Sequence, residues 1–274
     1  MTCDDRRVVT TKAYLAVVAY SSRKGREAAY ALVRRWIEQC LVTDGSLLTE
    51  GRRIWTLANL QDLKARFVDV PVEGASSFED KLRHQLQGAA DDVKQLAAEV
   101  LCAHYAVPAD ISRNKKMEVV GNVLAWMETP VVVPDDVAAA FRIGLINAGQ
   151  GYRQFKPNQL WFLIEAALAI KQASPDERRR LLHDPWALKA MLAELPIRSA
   201  FITSNMLLHM LHPETFEPIG GREHKKAIVA ALGRSHHRGG RGSRHRRDPE
   251  RAGEGPRQAV RLLPAGDPSA VAPR

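Results

Sequence analysis

The 274-residue sequence lacks the residues and patterns on which several classes of protein depend. Its three cysteines, Cys3, Cys40 and Cys102, are odd in number and widely spaced, which excludes a disulfide framework and a paired-cysteine zinc site. No apolar run reaches the roughly 20 residues of a membrane span, and the N-terminus has no signal-peptide layout. These absences predict a cytoplasmic protein with no membrane partner and with buried free thiols at Cys40 and Cys102.

Motifs for nucleotide or metal chemistry are also missing. The sequence contains no phosphate-binding loop of the form G-x-x-x-x-G-K-[ST], no H-E-x-x-H and no G-x-S-x-G. His209 and His212 have no neighbouring acidic cluster, so we interpret them as satisfied core or helix-end histidines rather than metal ligands. Glu223 and Lys225 match half of a nuclease E-x-K pattern, but they fall at a predicted helix start and not on a strand. The sequence therefore predicts that this chain is not an enzyme and holds no cofactor or metal.

The sequence does have strong helical periodicity. Apolar residues recur at three- and four-residue steps along most of the chain, and no long segment alternates as a half-buried strand does. This pattern predicts an all-α fold of nine or ten helices. The expected helical segments are 25–41, 52–67, 76–105 kinked or divided at Gly88, 114–127, 137–145, a central buried helix from Pro157, two helices that start at Ser174 and Asp184, 199–211 and 222–232.

A proline-bracketed stretch interrupts this helical pattern. Residues 128–136 have the sequence ETPVVVPDD, in which Pro130 and Pro134 flank three valines and favour an extended connector. We therefore expect two helical subdomains, residues 1–130 and 131–232. The short segment 147–151, with the sequence NAGQG, is predicted to be a flexible loop.

The last 42 residues, 233–274, differ from the rest of the chain in composition. They contain ten arginines against four acidic residues, a net charge of +6 out of the +9 of the whole chain, so the first 232 residues carry only +3. Seven glycines and five prolines give this tail the composition of a disordered segment. Two explanations stay open: an arginine-rich arm that binds nucleic acid, or GC-rich DNA translated out of frame. The nearly neutral body predicts no polyanion partner from its bulk charge.

One compact basic cluster lies in the helical part of the sequence. Arg222, His224, Lys225 and Lys226 fall at the start of the last predicted helix. Contact between these four side chains and nucleic-acid phosphate is one hypothesis, and a solvated helix face is the other.

The segment from Asn158 to Leu232 resembles part of a known family. Residues 204–232, with the sequence SNMLLHMLHPETFEPIGGREHKKAIVAAL, resemble a leucine-rich stretch that lies upstream of the ATPase module in McrB-like AAA-family ATPases of modification-dependent restriction systems. Residues 257–273 can be encoded so that a frame shifted by one nucleotide gives GKRFDFYRPEIRRLWHP. That alternative peptide is similar to a segment that follows soon afterwards in the same family.

The resemblance implies a non-catalytic N-terminal targeting or structural region whose reading frame departs from the family near Gly233, before the ATPase module. An intact relative would act in defence, coupling recognition of foreign or modified DNA to hydrolysis of ATP or GTP with Mg²⁺ and to recruitment of a restriction-nuclease subunit. No ATPase residue carries over, because the Walker motifs have no counterpart here, and oligomerisation is not expected without the AAA module. The alternative is a free-standing nucleic-acid-binding adaptor that uses the basic tail.

Overall fold

The computed structural model describes residues 25–221, 223 and 225–230 of the chain. These residues form helices, turns and loops without a strand, which confirms the predicted all-α class, and one isolated parallel bridge joins Pro108 to Ile146. None of the helices in these ranges is both long enough and apolar enough to cross a membrane. Residues 1–24, which include Cys3, and residues 231–274, which include the predicted tail, lie outside the described residues, as do Arg222 and His224.

Eleven α-helices and two π-helical segments precede a final helical stretch at residues 225–230 in the described part of the chain. The α-helices are α1 Glu27–Arg35, α2 Leu57–Leu63, α3 Phe78–Gln85, α4 Asp91–Tyr105, α5 Arg113–Leu124, α6 Asp135–Ala140, α7 Gly149–Gln154, α8 Lys156–Lys171, α9 Pro175–His183, α10 Pro185–Glu194 and α11 Phe201–Leu211. The π-helical segments Trp36–Val42 and Lys64–Val68 continue α1 and α2.

Several predicted segments have the wrong boundaries. Of the two outcomes expected at Gly88, a kink or a division, the structure has the division into α3 and α4, because Gly88 adopts a φ of +70° and the chain turns there. The flexible loop expected over 147–151 instead contains the start of α7, since burial of Tyr152 stabilises helical turns in a glycine-rich sequence. The helix expected over 137–145 ends at Ala140.

Helices from both sides of residue 130 share one hydrophobic core. α1 packs against α6 and α11, while α4 packs against α2, α5 and α8. The core includes fully buried Trp55 and Tyr105 from the first half of the chain and Phe162 from the second half. All described residues belong to one compact unit that ends at Ala231. The boundary predicted near residue 130 is therefore not a boundary between compact units.

A buried carboxylate fixes the loop between α1 and α2. Glu99, in the middle of α4, is fully buried and accepts hydrogen bonds from Ser46 Oγ, the backbone N–H of Leu47, Trp55 Nε1 at 2.7 Å and Gln95 Nε2 at 2.9 Å. Burial raises the pKa of Glu99, and the donors around the carboxylate oppose that shift. Glu99 thus pairs the Leu47 N–H and Trp55 Nε1, two donors that would be costly to leave buried and unpaired.

We expect Glu99→Gln to lower the free energy of unfolding by about 2 kcal/mol, because one acceptor oxygen becomes an amide donor that faces other donors. Urea denaturation followed by tryptophan fluorescence measures this loss. The matched control is Glu118→Gln on α5, whose side chain is 54% exposed and pairs with Lys115. The control should change stability by less than about 0.5 kcal/mol, and equal losses in the two variants would contradict the role given to Glu99.

A second buried charge joins the end of α8 to the first π-helical segment. Lys171 is fully buried, and its Nζ donates to the Cys40 carbonyl and, at 2.5 Å, to Asp44 Oδ1. Arg178 Nη1 lies 3.0 Å from the same Asp44 oxygen. Asp44 adopts a φ of +66°, a left-handed conformation that Asn also tolerates. Burial lowers the pKa of Lys171 to about 8, although Asp44 acts in the opposite direction.

Asp44→Asn keeps the side-chain shape and the backbone conformation but removes the charge that pairs with Lys171. We expect a loss of about 3 kcal/mol in the free energy of unfolding at about pH 6, where Lys171 is protonated. The folded-state pKa of about 8 lies below the ordinary value of 10.5, so this lysine adds stability as the pH rises above about 8. In Asp44→Asn the pKa of Lys171 falls further, so the rise of the free energy of unfolding with pH begins at a lower pH.

The difference between Asp44→Asn and the unchanged chain should therefore shrink as the pH rises from about 6 to about 9. Urea denaturation of both proteins at several pH values in that range measures it. A difference that stays constant across the range would show that Lys171 does not respond to Asp44.

Candidate functional site

The basic cluster predicted from the sequence is only partly described, and its two described lysines have acidic neighbours. Lys225 Nζ lies 3.5 Å from Glu217 Oε1, and Lys226 Nζ lies 2.9 Å from Glu223 Oε1. The other members of the cluster lie outside the described residues; they are Arg222 and His224. Contact between this cluster and phosphate stays a prediction.

His209, one of the histidines weighed as a metal ligand, is a buried side chain with both ring nitrogens hydrogen-bonded. Its Nδ1 lies 2.7 Å from the Phe216 carbonyl oxygen, and its Nε2 lies 2.6 Å from Tyr30 Oη. A carbonyl oxygen only accepts, so Nδ1 carries the proton and Nε2 accepts from the tyrosine hydroxyl. The interpretation of His209 as a satisfied core histidine is confirmed. Across residues 25–221 and the described positions that follow, no group of three or more His, Cys, Asp or Glu is placed to hold a metal ion.

A cleft of about 310 Å³ opens where α3, the junction of α7 with α8 and the loop before α11 meet. Its lining contains four basic side chains, three aromatic rings and no carboxylate. The basic residues are Lys81, Arg153, Lys156 and Arg198, and the aromatic residues are Phe67, Phe78 and Trp161. We call this feature the basic cleft.

Helix geometry explains how two walls of the basic cleft form. Phe78, Lys81 and Gln85 are three and four residues apart, so they lie on one face of α3. α8 begins at the cleft with Lys156, has no side-chain cap at Phe155 and has no acidic residue in its first turn. The partial positive charge of the α8 N-terminus therefore adds to that of the basic side chains.

Two of the four cations are held against aromatic rings. The Cζ atom of Arg198 lies 4.1 Å from the centroid of the Trp161 ring. Lys156 Nζ lies 4.7 Å from the centroid of the Phe78 ring and donates a hydrogen bond to Tyr105 Oη at 3.1 Å. Burial lowers the pKa of Lys156. A cation–π contact orients a cation without neutralising its charge, so both charges stay available to an anion.

The cations of the basic cleft have little pairing with carboxylates in the described structure. Lys81, Lys156 and Arg198 form no ion pair there, and Lys81 Nζ donates instead to a backbone carbonyl at 2.6 Å. Arg153 Nε lies 3.8 Å from Asp110 Oδ2, near the limit for an ion pair. Four like charges in one concave surface produce a local positive potential that the net charge of the helical body does not reveal.

Trp161 adds an unpaired donor to the lining. Its side chain is only 5% exposed, and its indole Nε1 has no hydrogen-bond partner within the described protein. Trp36 Nε1, which lies outside the cleft, is unpaired in the same way, and both nitrogens are enclosed by protein. Arg198 and Ser199 adopt φ values of +34° and +69°, and this left-handed turn holds the guanidinium over the indole.

A second hollow, of about 580 Å³, has a different charge pattern. Its lining contains Asp80 together with Arg83, His84 and Lys94. Lys94 Nζ already lies 3.3 Å from Asp91 Oδ1. Because both signs of charge meet in this hollow, it has no clear preference for an anion or a cation.

The sequence did not indicate the basic cleft, because its four cations come from three separate parts of the chain and none belongs to a basic run. Comparison of the chain with protein-family models, curated proteins and solved structures gives no match. The basic cleft and the sequence resemblance are therefore the two grounds for proposing a function.

Proposed function

We propose that this chain is a non-catalytic helical region that binds nucleic acid, of the targeting or structural kind that precedes the ATPase module in McrB-like restriction ATPases. The observation that supports the proposal is the basic cleft, with four cations and no carboxylate in its lining. A polyanion is attracted by a local excess of positive charge, even where the net charge of the whole helical body is small. In an intact relative, ATP or GTP with Mg²⁺ and a nuclease partner would act beyond this region.

The number of cations sets the strength of binding that we expect. Each phosphate that a basic side chain neutralises changes the slope of log K against log salt by about −0.7 to −0.9. Four cations therefore give a slope of about −3 and a dissociation constant in the range of about 10⁻⁶ to 10⁻⁴ M. Binding of this kind is independent of nucleotide sequence. It is compatible with a region that acts next to an ATPase module and a nuclease subunit.

The purified 274-residue chain should release no phosphate from ATP or GTP above the background rate, with or without Mg²⁺. The reason is that neither the sequence nor the described structure supplies a phosphate-cradling loop of the Walker type. A coupled phosphate-release assay measures this. Hydrolysis that requires Mg²⁺ would overturn the non-catalytic part of the proposal.

Deletion of residues 233–274 distinguishes the proposed function from the alternative, a free-standing adaptor that binds nucleic acid through its basic tail. We expect the shortened chain to keep measurable DNA binding with a salt slope of about −3, because the basic cleft lies outside the deleted segment. Fluorescence anisotropy with a labelled oligonucleotide across a salt series measures both quantities, and circular dichroism checks that the helices are retained. If affinity and salt slope collapse together after the deletion, the adaptor alternative is correct.

A further inference from the structure

We propose that the basic cleft is a binding site for a phosphate ester, in which Lys156 and Arg198 contact the phosphate and the Trp161 ring holds Arg198 in place. The inference rests on the proposed function only for the source of the phosphate. The ligand chemistry itself follows from the side chains that line the cleft.

Two features of the basic cleft favour an anion. Lys156 and Arg198 are positioned by aromatic rings and form no ion pair in the described structure. The uncapped N-terminus of α8, a 16-residue helix, opens at the same place. An anion in the cleft would supply the negative charge that these groups lack.

The shape and the apolar part of the lining favour a phosphate ester over a bare anion. The volume of about 310 Å³ is near the lower end for small-molecule sites, which is larger than one inorganic ion requires. Phe67, Pro71 and Val72 form an apolar wall beside the cations, where a sugar or a base attached to the phosphate would lie. Arg198 presents a planar fork of donors, the geometry that phosphate oxygens accept well.

A phosphate ester could come from a nucleic-acid strand or from a free nucleotide, and the experiment uses both. The probes are inorganic phosphate, a deoxynucleoside 5′-monophosphate and a labelled single strand of about 12 nucleotides. Binding is measured by calorimetry for the small ligands and by anisotropy for the strand. The indole N–H resonance of Trp161, assigned with Trp161→Phe, reports occupancy of the cleft directly.

The test variant is the full chain with Lys156→Met and Arg198→Met, and its matched control is the full chain with Arg179→Met and Lys189→Met, two exposed residues of α9 and α10 that lose the same charge away from the cleft. We expect the test variant to lose about tenfold or more in affinity and about two units of salt slope for the strand. The control should lose less than about threefold. Lys156→Arg changes the same position but keeps the charge, and it should retain most of the binding. Its result separates loss of charge from loss of the folded structure.

The outcomes separate this inference from the proposed function. If the mononucleotide shifts the Trp161 resonance but the strand does not bind, the phosphate site stands and the nucleic-acid function fails. If the strand binds equally well to the test variant and to the control, the nucleic-acid function stands and the phosphate site fails. A Trp161 resonance that none of the three probes moves would also overturn the site.

Discussion

The buried carboxylate of Glu99 is the interaction on which the arrangement of the helical body depends. Glu99 lies in the middle of α4, and α4 packs against α2, α5 and α8. In the loop that leads into α2, the backbone N–H of Leu47 and Trp55 Nε1 both donate to this carboxylate. A charge can be buried at the centre of a helical core only where donors surround it, so the loop and α4 stabilise each other.

The same helix also positions the basic cleft. At the end of α4, the His104 ring stacks on the Tyr152 ring of α7 with centroids 4.7 Å apart, and Tyr152 Oη lies 3.0 Å from His104 Nδ1. The next residue, Tyr105, accepts the hydrogen bond from Lys156. α4 therefore fixes both the short helix before the cleft and the first cation of α8. Helices α3 and α8 supply two walls of the cleft, and the loop before α11 supplies Arg198.

Much of the local structure could be predicted from the sequence because its causes are local. Ser174 and Glu177 form a reciprocal capping box at the start of α9, where the sequence predicts that a helix begins. Gly88 was expected to kink or divide its helix, and its positive φ divides it into α3 and α4. The helix α7 was missed because its stability comes from the burial of Tyr152, a contact with residues far away in sequence.

The sequence by itself determined the all-α class, the buried thiols at Cys40 and Cys102 and the absence of known nucleotide-binding motifs, since periodicity and motif spacing are properties of the linear chain. Only the tertiary structure decided that one core spans residue 130 and that isolated cations meet in one cleft. Those features depend on contacts between residues far apart in the chain, such as Arg198 over Trp161, and no local pattern records which distant residues will pack together. The sequence analysis placed clustered positive charge in the tail and at the start of the last helix, and packing brings four further cations together near the start of α8.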